Sequence, residues 1–357
     1  MTNSFPPSSV EQTGALTRGE ILQQPRLWPT TFDRVSVVLK FRHSAMPVVL
    51  TGAGTSAYAA SAVAAAWPGA SAIPTTDLLL DCAGVPAGAL TISLARSGDS
   101  PESVAVVRKL QRIHPHSAHL AITCNPEGRL AKMAGLDAIL LDPRTNDRSL
   151  AMTSSFSNLV LAGLLLRHTE TFRQALPGLC ARVESALPEL EHGARRLAAL
   201  KPRRIVVLGS APFRSATREA ALKILEMTAG RCVAMPESFL GLRHGPMSFL
   251  ERDSLTVCLC SSDPMRQRYE RDVLQELRDK QLGKVAVIAT GDSDIPCDYL
   301  IPAMAADLDD HLRTPFEIVF VQLLAFHLSL AFGLNPDNPS PDGVIHRVVR
   351  GVAIHDN

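Results

Sequence analysis

The feature that most constrains this chain is the alternation of short, mostly apolar runs with stretches of helical pattern. Residues 48–52, 90–94, 120–124 and 138–141 are short, β-branched or otherwise apolar runs without charged residues, interrupted only by small hydroxyl residues such as Thr51, Thr91, Ser93 and Thr123. Runs of that kind read as strands buried on both faces, which calls for parallel sheets covered by helices. After a mainly helical region, 154–166 and then 176–200, the strand pattern restarts at 205–209 and continues at 255–260, 285–289 and 299–302. The two halves also resemble each other. "VVLTGAGTSAYAASAV" and "IVVLGSAPFRSATREAAL" both run from strand through glycine and small polar residues into a helix, with Gly52 and Gly209 lying 157 positions apart. The expected fold is α/β with two doubly wound parallel-sheet domains, 46–195 and 196–357, the second ending in a C-terminal tail. Residues 1–45, polar and proline-dotted with a helical patch between Gly19 and Trp28, are expected to form a helical N-terminal arm.

Composition narrows the function. The chain has 357 residues, 46% of them hydrophobic, enough for a large core, and a prior of about 150 residues per domain fits two domains. Its 36 basic and 35 acidic residues nearly cancel, without long runs of one sign, which argues against nucleic acid or a membrane surface as partner. No apolar run is read as approaching the ~18 residues that cross a bilayer, and no signal-peptide core is read at the N-terminus. Seven cysteines without a C-x-x-C spacing point to reduced thiols and a cytoplasmic location. Cys258 and Cys260 read as core residues on one strand face, and His114, His116 and His119 as a surface turn rather than a metal site.

Ligands of parallel α/β sheets bind beyond the carboxyl ends of the strands, where helix N-termini offer unpaired N–H groups and partial positive charge. Two strand ends in the first half suit an anion there. One carries Gly54, Thr55 and Ser56; the other carries Ser97, Gly98, Asp99 and Ser100, followed by Pro101 at a helix start. Hydroxyls donate to phosphate oxygens and glycine permits close approach, although helix capping alone would select similar residues. Gly52-x-Gly54-x-x-Ala57 with Asp77 downstream also matches a dinucleotide fingerprint, but such a site has no use for the second serine-rich loop.

The second half carries the ionisable residues. In "REAALKILEMTAG", Glu219, Lys223 and Glu226 share one helix face, while Ala221, Leu222 and Leu225 read as the buried stripe. A solvated charged face and a catalytic group both fit this spacing. His244, before Gly245-Pro246, reads either as a loop residue or as an acid–base group held at a cleft.

"TGAGTS", "ARSGDSPES", "EAALKILE" and "GLRHGP" resemble the signature loops of the sugar isomerase (SIS) domain family, in tandem as in the isomerase half of glucosamine-6-phosphate synthase. "EILQQPRLW", "AMTSSFSN", "ESFLGLRHGP", "SSDP" with "RYERD", and "GLNPDNPSPDGVIHRVVRGV" resemble the galactosamine-6-phosphate deaminase group, also labelled tagatose-6-phosphate ketose/aldose isomerase. The likeness runs from about residue 18 to the C-terminus. It implies two flavodoxin-like three-layer domains and assigns phosphate binding to Ser56, Ser97 and Ser100 with Thr55 beside them, supported by Gly54 and Gly98. It implies proton transfer between C1 and C2 by Glu226, with Lys223 and Glu219 as partners, and ring opening by His244, which in tandem enzymes can come across a dimer interface. Where the synthase has a serine, this chain has Ala95 followed by Arg96, a cation that could reach the phosphate; where the synthase has a C-terminal lysine loop, His346 and Arg347 stand.

The resemblance implies a deaminase converting galactosamine 6-phosphate and water to tagatose 6-phosphate and ammonia, without metal or redox cofactor, as a homodimer or homotetramer. Alternatives are a glucosamine-6-phosphate deaminase, a ketose–aldose isomerase without ammonia release, or a non-catalytic sugar-phosphate sensor. The last lacks room for a helix-turn-helix ahead of the first strand.

Overall fold

The computed structural model of the chain describes residues 13–38, 46–290, 294–340, 342–349 and 351–355. Two five-stranded sheets form its frame, and every strand pairing within them is parallel. The first holds β1 (Val48–Thr51), β2 (Ala70–Ala72), β3 (Leu90–Ala95), β4 (Ala118–Thr123) and β5 (Asp137–Leu140) in the order β2-β1-β3-β4-β5. The second holds β6 (Arg204–Gly209), β7 (Val233–Glu237), β8 (Leu255–Leu259), β9 (Lys284–Ala289) and β10 (Tyr299–Pro302), ordered β7-β6-β8-β9-β10. The two orders are the same permutation, with the chain reversing direction across the sheet between the first and third strands of each half. That reversal opens a crevice at the carboxyl ends, where such folds bind ligands.

Ten helices surround the sheets: α1 (Ala15–Leu22), α2 (Gln24–Ser36), α3 (Thr55–Ala65), α4 (Thr75–Leu80), α5 (Pro101–Ile113), α6 (Ser154–Ala198), α7 (Arg214–Met227), α8 (Phe239–Leu242), α9 (Pro264–Asp279) and α10 (Thr314–Ala331), counted among the described residues. The two strands absent from the sequence reading, β2 and β7, are both edge strands. One is only Ala-Ser-Ala and the other contains Pro236, which an edge tolerates because no ladder bond is lost on its open side. The helical region after β5 is a single run whose break is confined to His168 (φ −115°, ψ 32°), where the ring reaches Ala66 O at 2.8 Å.

Three expectations need correction. The N-terminal segment is no free-standing arm over its described part: α1 and α2 pack on α6, burying Ile21, Leu27, Trp28 and Val35, with the Trp28 ring edge-on to Phe316 at 4.9 Å. Residues 1–12 and 39–45 of that stretch lie outside the described residues. Secondly, α10 is long and apolar enough to cross a membrane (18 residues, mean hydropathy 1.5), but 89% of it is buried inside the protein, against α6 and α7. A helix apolar all round is what the centre of a large core demands. Thirdly, His119 lies within β4 and is buried, with no hydrogen-bond partner for either ring nitrogen; burial, and then His114, lower its pKa. His116 alone of the three is exposed. Cys258 and Cys260 sit in the core with Val273 and Leu274 of α9, as read.

One continuous apolar core joins both halves, running from β1 and β3 through α3 and α6 to β6, β8 and α10. Its tightest crossing is where α3 meets α6: a Cβ on Gly163 would stand 2.5 Å from Val63 Cγ2. Val63 is fully buried and stiff at χ1, so it cannot swing away. Gly163→Ala should therefore lower stability by about 1–3 kcal/mol, the usual cost of overpacking, offset in part by helix propensity. Denaturant titration checks this, and an unchanged midpoint would mean that the helices can separate.

Candidate active site

The first half ends its two central strands in loops built for close approach. Past β1, Gly52 cannot carry a side chain, because its Cβ would stand 2.5 Å from the main chain of Ser56 in the first turn of α3. The α3 helix is thereby seated on the strand end, which accounts for Gly52 without any dinucleotide. Gly54 then takes a left-handed φ of 57° and faces open space, and Thr55 and Ser56 begin the helix. Past β3, Gly98 turns the chain at φ 67°, and Asn125 Nδ2 fixes the loop by donating to Ser97 O at 2.9 Å. Ser100 occupies the N-cap position of α5, with Pro101 next, but its hydroxyl donates to Glu102 Oε2 (2.6 Å) and no side chain caps the helix. The first turns of α3 and α5 thus border the same space, with their partial positive charges towards it.

That space is a cavity of about 460 Å³. Gly54, Thr55, Ser56, Arg96, Ser97, Gly98, Ser100 and His346 line it, and so does Glu226 from the other half. Of the remaining residues singled out in the sequence, Lys223 and Glu219 lie immediately behind Glu226. His244 does not join them: in this chain it is exposed, at the end of α8, and lines no part of the cavity.

The face of α7 that carries the charges is the buried one, contrary to the periodicity. Glu219 and Lys223 have fully buried side chains, and Glu226 is 24% exposed, while Leu225, read as part of the buried stripe, is 45% exposed. Lys223 Nζ donates to Glu226 Oε2 and to Thr55 Oγ1 (3.1 Å) and stands 3.5 Å from Glu219 Oε1. Burial works against the ammonium, but the two carboxylates outweigh it and raise the Lys223 pKa. Glu219 has no hydrogen-bonded partner for either oxygen; burial lifts it to about 8, with Lys223 opposing and Glu226 adding to the rise. At neutral pH Glu219 is therefore mostly protonated, and the Lys223 charge is left to Glu226. A carboxylate held at a cavity wall by a buried cation can accept and return a proton from a ligand seated on the serine loops.

No protein-family model matches the chain. It is 36% identical over 385 residues to the D-galactosamine-6-phosphate deaminase AgaS of Escherichia coli O157:H7, covering 99% of both chains. It is 35% identical over 371 residues to that of Shewanella sp. (strain ANA-3), covering 96% of this chain and 93% of the relative. Among solved structures, the tagatose-6-phosphate ketose/aldose isomerase of Escherichia coli superposes with a TM-score of 0.85 at 32% identity, covering 99% of both chains. This chain belongs to the AgaS family, within the sugar isomerase group. It is a sugar-phosphate deaminase or isomerase.

Segments that single out this family brace the site from outside. In "AMTSSFSN", Asp147 just upstream accepts from Thr153 N (2.7 Å), Ser155 N (2.9 Å) and the hydroxyls of Ser154 and Ser155, fixing the start of α6. "EILQQPRLW" grips the same turn. Glu20 accepts from Arg148 N and Ser149 N, Gln23 donates to Ser154 Oγ, and Trp28 Nε1 donates to Ser157 Oγ. Asp337 of "GLNPDNPSPDG" accepts from Thr17 N and Thr17 Oγ1, each at 2.8 Å, which ties α1 to the C-terminal segment. The partnerships of Glu20, Gln23, Trp28 and Asp337 do not show in spacing, because each joins residues more than a hundred positions apart.

Arg96 is nearly fully buried, and its guanidinium donates to Leu150 O (3.1 Å) and Arg347 O. Burial and the neighbouring Arg347 lower its pKa, while Asp147 and Glu226 oppose them. Arg96, which also lines the cavity, is a clasp that holds the 150 turn and the C-terminal tail against it. Arg347 completes it by donating to Asp147 O at 2.7 Å, so His346 is carried onto the cavity wall.

The matching cradle of the second half is filled by the protein itself. Past β8, Ser261, Ser262, Asp263 and Pro264 repeat the serine loop, but Asp310 accepts from Ser262 N (3.0 Å), Ser262 Oγ (2.8 Å) and Ser261 Oγ. Glu270 accepts from Ser261 N (3.0 Å) and from Ser210 Oγ, and the buried Arg313 pairs with Asp310 at 2.9 Å. Carboxylates take the place an anion would take, leaving the first half as the open site.

Glu219 sets a measurable pH dependence. Its carboxyl ionises from the ordinary 4.5 upward in the unfolded chain but only near 8 in the fold, so between those values the unfolded state binds fewer protons. Stability from this group is then present at low pH and lost as pH rises through the window. Glu219→Gln should flatten the fall in Tm between pH 5 and 8 relative to the parent. Equal slopes would show that Glu219 ionises normally.

Proposed function

We propose that this chain deaminates D-galactosamine 6-phosphate, giving D-tagatose 6-phosphate and ammonia. What carries the reading is Glu226, delivered by α7 to the wall of a cavity otherwise built from the hydroxyl loops of the first half. The phosphate lies on Thr55, Ser56, Ser97 and Ser100 and the first turns of α3 and α5, which places the far end of the open sugar towards Glu226. Glu226 removes the proton on C2 of the amino aldose, and the electrons pass through the C1–C2 bond to the carbonyl oxygen, which takes up a proton, giving an enolamine. The same carboxyl returns the C2 proton to C1 as the nitrogen lone pair forms the C2–N double bond and the nitrogen gives up one proton, leaving an imine at C2. Water adds to that carbon, the C–N bond breaks, and ammonia departs as the ketose forms. Lys223 orients Glu226 by donating to its Oε2; Glu219, neutral, supports Lys223 without competing for its charge.

Ring opening needs a second acid–base group. His346 is the histidine on the cavity wall in the same chain, whereas His244 enters only if a second copy of the chain supplies it. Turnover of His244→Ala separates the two: full activity places His244 outside the reaction, whereas loss of activity that is recovered on mixing with Glu226→Gln chains places it across an interface.

General acid–base groups contribute about 10²–10⁴-fold, so Glu226→Gln should lower kcat by at least that range while KM changes little. Ammonia release from galactosamine 6-phosphate and from glucosamine 6-phosphate, measured side by side, tests the substrate. Turnover of tagatose 6-phosphate without any ammonia from either amino sugar would favour simple isomerisation, the activity after which the Escherichia coli structural neighbour is named.

A further inference from the structure

Behind the serine loop lies a second concavity that the reaction does not use. It has a volume of about 440 Å³ and is bordered by Pro101 and Val104 of α5, by Arg108, Lys109 and Arg112 from the same helix, and by Arg129, with Ile354 and His355 of the C-terminal segment at its edge. Four permanently cationic side chains converge there, and no carboxylate is among its described lining residues. Arg108 and Arg112 make no hydrogen bond or ion pair among the described residues. Lys109 donates only to Leu79 O, at 3.0 Å. Arg129 alone meets an acid: its Nε stands 3.9 Å from Asp99 Oδ1, and its Nη2 donates to Asp99 O.

Like charges gathered around one hollow repel one another, and a surface helix gains nothing by placing Arg108 and Arg112 one turn apart over a cationic neighbour. Guanidinium groups present forked donors that match tetrahedral oxyanions, and a concavity raises the local potential above that of a flat patch. The hollow is also connected to the reaction cavity by covalent structure. Asp99, which Arg129 holds, lies in the loop between Ser97 and Ser100, and the C-terminal segment that brings Ile354 and His355 to the hollow also places His346 on the cavity wall. We propose that this basic hollow is a second anion site, distinct from the reaction cavity, which takes a small tetrahedral dianion: inorganic phosphate or the phosphate group of a phosphate monoester. Its bound anion engages Arg108, Arg112 and Arg129, the last shared with Asp99 of the serine loop.

Equilibrium dialysis of the full chain against labelled inorganic phosphate at low ionic strength counts the sites. Two phosphates per chain are expected for the parent. R108Q/R112Q should bind one, with unaltered Tm and turnover, since both residues are exposed and outside the reaction. Equal counts for the parent and R108Q/R112Q would overturn the proposal. S97A/S100A separates this from the functional reading: it should lose the other phosphate and keep the one at the hollow. If S97A/S100A retains both while R108Q/R112Q loses one, the hollow stands and the serine loops fail as the substrate's phosphate site. Glucose 6-phosphate added to labelled S97A/S100A identifies the source: at least tenfold displacement of label assigns the hollow to monoesters, and none assigns it to the free anion.

Discussion

Everything in the site depends on one buried ammonium. Lys223 has left water entirely, and an isolated charge in that position would be too costly to keep. It remains because Glu226, Glu219 and Thr55 surround it. Each partner does something different. Thr55 belongs to the first half, so the hydrogen bond to it fixes α7 of the second half against the N-terminus of α3. Glu219, its carboxyl pushed towards the neutral form by burial, packs a polar group against the ammonium. Glu226 takes the pairing charge and faces the cavity. The pin between the halves and the activation of the base are thus one interaction, and the position of the base is set by the same contacts that hold the halves in register.

The frame of the fold was legible because parallel strands buried on both faces leave long apolar runs and nothing else does so repeatedly. The runs at 90–94 and 299–302 fall within or on β3 and β10. Only β2 and β7 escaped, since an edge strand buries one side less and can be as poor in β-formers as Ala-Ser-Ala or hold a proline. The serine loops were legible for a different reason: two strand ends in one half carry glycine and hydroxyl residues straight before a helix, a pairing that capping explains singly but an anion site explains together. What failed was the orientation of α7. Periodicity ranks residues by hydrophobicity, and so it turned Leu225 inward and Lys223 outward. A buried charged face violates that ranking wherever opposite charges neutralise each other, which is where a catalytic group is kept dry. Glu219, Lys223 and Glu226 at helical spacing carried the clue only when joined to a recognised motif.

Apart from Glu226 and His346, which the resemblance supplied, the parts of the site contributed by distant chain segments were not legible. Arg96 looked like a cation available to the phosphate, and nothing in the sequence indicated that Nη1 and Nη2 would also donate to carbonyl groups. A guanidinium that satisfies main-chain oxygens of both the 150 turn and residue 347 serves as a three-way joint, and its value lies in geometry rather than charge. Asp337 and Glu20 act likewise, by accepting main-chain N–H donors that a helix end or tight turn would otherwise bury without partners. These are long-range pairings of polar atoms, and local patterning contains no information about which two loops will meet.

The duplication of the fold makes the single site more informative. Both halves present a serine-bearing loop after the third strand and a helix that starts from it, so both inherit the geometry of an anion cradle. In the second half Asp310 and Glu270 accept the donors that phosphate oxygens would accept, and Arg313 balances the charge from behind. In the first half Glu102 accepts from Ser100 Oγ and Asp99 accepts from Arg129 N outside the loop, while Thr55, Ser56, Ser97 and Ser100 line an open cavity. A loop of this kind is stable with its donors either answered by a side chain or turned towards solvent and ligand. The second half took the first course and became scaffold, lending α7 to its neighbour. The base and the cradle therefore come from different halves. That division lets one half hold the phosphate rigidly while the other sets where the proton is taken.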